Sequence, residues 1–144
     1  MVLYHAIKGA DEAGNADQTC GELVRLIGEN CHTVVADNEV AARYSRVLKE
    51  LLSIPSLLYK TTEFLWEVIY NSSKFLVEAC PAPELPPAVT APRGDEYVVR
   101  AALISRPTVV TSDEALRRSI NKQAATLGFP ALSPADALEL AKET

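Results

Sequence analysis

The sequence predicts an α/β fold: a mainly parallel sheet with helices on both faces. Three observations predict it. Short β-branched or aromatic runs at residues 33–36, 75–79, 108–111 and 129–132 alternate with longer segments of helical apolar spacing. Strand-like and helical segments alternate through most of the chain, a pattern that implies a parallel sheet with helices on both faces. The chain has 144 residues and is 48% apolar, enough for one domain over residues 1–144 that buries roughly 70% of its unfolded surface without a disulfide or metal staple.

Taken in order, residues 17–27 read as a helix with Cys20, Leu23, Val24 and Ile27 on one stripe, closed by Gly28 and Asn30. Residues 33–36 form a short buried strand. Residues 38–52 form an amphipathic helix with Val40, Tyr44, Val47, Leu48 and Leu51 on one face. Asp37 suits its N-cap, and Glu39–Arg43 is an i,i+4 pair worth roughly 0.2–0.5 kcal/mol. Pro55 and Ser56 end that helix, and another starts near Leu57, leaving Trp66 off its apolar stripe. Residues 75–79 are strand-like. Five prolines between Pro81 and Pro92 then exclude a regular helix or central strand and predict an extended surface loop. Residues 95–104 read as a helix, 108–111 as a strand, 113–127 as one continuous helix capped by Gly128, and 129–132 as a last strand. Ser133 and Pro134 open the final helix, with Asp136 in its first turn.

The net charge of −5 argues against broad, charge-driven binding of nucleic acid, although an acidic metal site would itself contribute negative charge. Cys20, Cys31 and Cys80 are widely spaced and read as reduced thiols, and His5 and His32 lie at no zinc-like spacing from them. No apolar run reaches the ~20 residues of a membrane span, and the N-terminus lacks a basic stretch followed by an apolar core. A cytoplasmic protein without membrane partners is expected.

The most chemically directed feature is a pair of acids, Asp95 at the start of one helix and Asp113 after a buried strand. A single helix and strand separate them, so a right-handed crossover can bring both to the carboxyl edge of a sheet, where α/β folds build their ligand sites. Two carboxylates about 5 Å apart repel by roughly 3 kcal/mol at an effective dielectric near 20. A hard divalent ion, which takes one or two carboxylates plus water and phosphate oxygens, would offset that repulsion. Helix capping accounts for an acid at either position equally well.

Four segments carry a resemblance to a known family: residues 34–48, beginning Val34, Val35, Ala36, Asp37; residues 93–102, around Gly94 and Asp95; residues 109–116, with Val110, Thr111, Ser112 and Asp113; and residues 129–138. From about residue 17 to the end, the chain resembles the PIN domain family, the metal-dependent ribonuclease fold of many prokaryotic toxin–antitoxin toxins. The resemblance implies a three-layer α/β/α architecture. It also implies Mg2+ or Mn2+ held by Asp95 and Asp113, RNA as substrate, and expectations of an antitoxin-like partner and a homodimer.

Two departures stand against the family pattern. The family's first acid ends an N-terminal central strand, whereas residues 1–9 look like the helix that follows it. One expectation is therefore that the true start lies upstream; the other is that residues 2–7 are the strand, without its acid. The family also places a glutamate near the position of Arg43. Glu39, one turn earlier, is a candidate third site residue, while a guanidinium there would compete with the metal for the carboxylates. Thr111 and Ser112 are candidates for orienting water, with helix capping the plainer role of Ser112; Arg117, Arg118 and Lys122 are candidates for a phosphate backbone. The leading expectation is an RNA-cleaving enzyme using Asp95, Asp113 and Glu39. The alternative is a catalytically depleted module that binds RNA or protein without cutting. A doubly wound phosphoacceptor domain fits less well, since no acidic pair lies near the start.

Overall fold

The computed structural model describes residues 2–143. Helices α1 (Val2–Lys8) and α2 (Thr19–Glu29) precede strand β1 (Val34–Asp37) and helix α3 (Asn38–Leu52). A 3-10 turn, Pro55–Leu57, leads into α4 (Leu58–Phe64), which widens into a π-helical turn, Leu65–Ile69, with Tyr70 N–H donating to Leu65 O at 2.8 Å. Strand β2 (Phe75–Glu78) follows, and then residues 79–95 without helix or strand. The second half runs α5 (Glu96–Ser105), β3 (Val109–Val110), α6 (Glu114–Lys122), α7 (Ala124–Leu127), β4 (Ala131–Leu132) and α8 (Pro134–Glu143).

The strands pair in parallel, as the alternation of strands and helices predicts, but as two separate ladders. Strand β1 pairs with β2 from Val34 opposite Phe75 to Asp37 opposite Glu78, and β3 pairs with β4 through Val109 opposite Ala131 and Val110 opposite Leu132. No pairing joins β1 to β3. The coarse expectation of a mixed helix–strand fold with parallel strands therefore holds, while the strands form no single central sheet. The reading of residues 2–7 as a strand is corrected: they are α1, with Leu3 and Ile7 one turn apart and both buried. The helix expected over 113–127 is likewise interrupted at Gln123, whose side chain is drawn to the backbone of Thr90: its Oε1 accepts from Thr90 N–H at 2.8 Å and its Nε2 donates to Thr90 O at 2.8 Å.

Three apolar clusters hold these pieces together. Leu3, Ile7, Leu48 and Leu51 join α1 to α3, with Tyr44, Phe64 and Leu65 against them. Val99, Val109, Leu116, Ile120, Leu127 and Phe129 fill the C-terminal half, and Val89 reaches into that cluster from the proline-rich loop. Leu23 of α2 meets Ala137, Leu138 and Ala141 of α8, so the last helix returns to the first half of the chain. Asn121 fixes the start of β4, donating to Ala131 O and accepting from Ala131 N–H, both at 2.9 Å.

Candidate functional site

The site is assembled from helix starts. Asp37 ends β1 in extended conformation and is 5% exposed; its Oδ1 accepts from Val40 N–H at 2.8 Å and so caps α3. Asp113 does the same for α6, accepting from Leu116 N–H at 2.9 Å, and Thr111 Oγ1 in turn accepts from Asp113 N–H at 3.1 Å. Ser112 therefore is not the cap expected of it. Asp95 stands at the N-cap position of α5 but makes no side-chain cap bond. Capping accounts for Asp37 and Asp113 and leaves Asp95 unexplained.

Asp95 and Asp113 line one cavity of about 420 Å³, together with Arg43, Tyr97, Thr111 and Ser112. The rest of its wall is largely apolar, including Val34 and Val35 of β1, Phe75 of β2 and Val109 and Val110 of β3. Burial holds the Asp95 carboxyl above its ordinary value; the negative charges of Asp113 and Glu96 add to that, and Arg43 opposes it. The two acids singled out by their spacing thus share a cavity and feel each other's charge.

Arg43 is the positive group of this constellation. Its Nη2 pairs with Glu39 Oε1 at 3.2 Å, and its Cζ lies 3.8 Å from the centre of the Tyr97 ring. Burial pushes the Tyr97 phenol up, Arg43 pulls it back, and Asp95 and Glu39 push it further. Tyr44 is also shifted upward, by burial first and then by Tyr97. Both phenols therefore stay neutral at pH 7. Glu39 pairs with Arg43 on a half-exposed face and is not among the side chains that line the cavity. Among the described residues, no three of His, Cys, Asp and Glu are gathered where they could hold a metal ion together. Arg118, a candidate phosphate contact, pairs with Glu114 on an exposed face.

Tyr97 is the member of the site that sequence reading missed. Its position two residues after Asp95 was a usable signal, because Asp95 precedes α5 and Tyr97 lies in its first turn; its stacking with Arg43 depends on α3 packing against α5. The cysteines are free, with Cys20 buried and Cys31 and Cys80 exposed. Among the described residues, no helix is long and apolar enough to cross a membrane. Compared with protein-family models, with curated proteins and with solved structures, the chain matches none.

Proposed function

We propose that the chain is a PIN-like, divalent-metal-dependent ribonuclease whose site is built on Asp95 and Asp113. The observation that carries this reading is the state of Asp95: an acid that caps nothing, partly buried in a cavity, its carboxyl held up by burial and by a second acid. That arrangement costs stability unless a cation enters it. The donor set fits Mg2+ or Mn2+, hard ions that complete their shell with water and phosphate oxygens when a protein offers one or two carboxylates. When bound, such an ion neutralises charge on the scissile phosphate and lowers the pKa of water. Asp113 is held rigid for this work by its bond to Leu116 N–H and by Thr111. Arg43, oriented by Glu39 and Tyr97, presents a fixed guanidinium beside the acids for a phosphodiester oxygen.

Titration with Mn2+ by calorimetry, followed by cleavage of end-labelled RNA, tests the reading. The expected result is saturable binding and metal-dependent cleavage, both lost in Asp95→Asn and in Asp113→Asn while circular dichroism is unchanged. Binding that persists in both variants would overturn it.

A specific observation favours a second reading, a PIN-like module that binds RNA or protein without cutting. Arg43 already gives the cavity a positive charge, and Glu39 is spent on Arg43 instead of serving as a third acid. This reading expects RNA binding that survives chelator, weakens in Arg43→Met and shows no turnover.

A further inference from the structure

Trp66 belongs neither to the core nor to the cavity. The helical stretch that carries it, α4 and the π-helical turn after it, turns Thr61, Phe64, Leu65, Val68 and Ile69 inward. The opposite face keeps three rings in solvent: Tyr59 is 79% exposed, Trp66 69% and Tyr70 65%. Aromatic rings are mostly covered in folded proteins, and several exposed along one helix face mark a contact surface. Trp66 and Tyr70 meet edge to face, with ring centroids 5.5 Å apart and planes at 70°. The π-helical turn spans the stretch between them, a local widening often found at functional sites.

Charge is interleaved with the rings. Glu63 lies four residues after Tyr59 and three before Trp66, and Glu67 lies three before Tyr70, so on the helix surface each carboxylate neighbours a ring. Both glutamates are exposed, and no ion pair among the described residues engages either. They also edge a groove of about 510 Å³, shared with Lys60 and with Glu22, Arg25 and Glu29 of α2. Arg25 pairs with Glu29, which leaves Glu22, Glu63 and Glu67 against Lys60 in that groove. A surface of this sign repels phosphate backbones and acidic partners. Rings beside unpaired carboxylates suit a planar cation, which stacks on the one and pairs with the other. The same combination is seen within this fold, where the Arg43 guanidinium lies over the Tyr97 ring and pairs with Glu39.

We propose that this helix face is a docking surface for an extended, arginine-rich segment of another protein. One guanidinium stacks on Trp66 and pairs with Glu63, and the next does the same at Tyr70 and Glu67. Residues four apart on a helix are ~6 Å apart along its axis, and alternate residues of an extended segment are ~6.6 Å apart, so arginines at every second position match the face. The surface is separate from the Asp95–Asp113 cavity, which none of Tyr59, Glu63, Trp66, Glu67 and Tyr70 lines.

Trp66 is the single tryptophan of the chain, so its fluorescence reads this face directly. The probe is a short capped peptide of alternating arginine and serine, added to the whole chain. A saturable one-to-one change in emission is expected, and added salt should weaken it. Tyr70→Ala, and Glu63→Gln combined with Glu67→Gln, are each expected to weaken binding roughly fivefold or more with the circular dichroism spectrum intact. A lysine peptide should bind more weakly than the arginine one, and a citrulline peptide, which keeps the shape and loses the charge, should not bind. Asp95→Asn and Asp113→Asn should bind as the parent does, which keeps failure of this surface distinct from failure of the nuclease reading. No saturable change overturns the proposal, as does equal binding of the citrulline peptide or by the Glu63→Gln, Glu67→Gln variant. A larger response to single-stranded RNA would assign the face to nucleic acid. Self-association that shifts Trp66 emission without peptide would assign it to a second copy, and either result equally defeats the proposal.

Discussion

Asp95 and Asp113 occupy the same kind of position, the residue before a helix, yet only Asp113 serves as a cap. This difference separates their stability effects. Asp113→Asn keeps a side-chain oxygen for Leu116 N–H and should leave stability nearly unchanged; Asp113→Ala should cost about 1 kcal/mol, measured by urea unfolding. Asp95 behaves oppositely, because its folded-state pKa lies above its unfolded value. Folding therefore takes up a proton in the window between the two. The stability that Asp95 contributes is present below the ordinary carboxylate value, about 3.9, and is lost as pH rises through the folded value. Asp95→Asn removes that loss, so the variant should gain stability relative to the parent across this window and keep the gain to pH 7. Urea midpoints for both proteins between pH 3.5 and 7 check this, and a pH-independent difference would refute it. Both acids and the Glu39–Arg43 pair were legible in the sequence, because helix starts and i,i+4 spacings are local. The stacking of Arg43 on Tyr97 was not, because α3 and α5 are brought together only by packing.

At the scale of elements, two side-chain amides near the end of α6 hold what lies beside them. Gln123 clasps the backbone of Thr90 in the proline-rich loop, and Asn121 clasps that of Ala131 at the start of β4. Asn121→Ala would leave a part-buried N–H and C=O without their partner and should cost about 2 kcal/mol, with exchange of the Ala131 amide speeding up before that of the rest of the domain. The interruption of the helix at Gln123 was invisible in the sequence for the same reason. The apolar stripe of Leu116, Ile120, Ala124 and Leu127 runs through it undisturbed, and the bond that accompanies it reaches 33 residues back along the chain. By contrast Gly128, at φ 82°, was legible as a helix end, because a left-handed residue there is a local demand on the backbone.

For the whole molecule, the order of helices and strands was readable and their assembly was not. Periodicity marks each strand as buried or half-buried but carries nothing about which edges meet, so a single sheet was expected where two ladders form. The core is correspondingly divided, and its largest fully buried side chain, Phe129, belongs to the C-terminal cluster. Phe129→Ala should destabilise the protein by about 3–5 kcal/mol and loosen amides of α5 and α6 ahead of those of α1 and α3, read by hydrogen exchange. Residues 79–95 lie where that division falls. Both strands of one ladder precede this loop and both strands of the other follow it, and of the three apolar clusters only the one between α2 and α8 draws on both halves. A protease that cuts after the exposed Glu84 would therefore sever no strand pair and no helix. The two products, each keeping its own ladder, are expected to stay associated through α8 on α2 and α5 against α3 and β1, which co-elution on gel filtration after the cut would show.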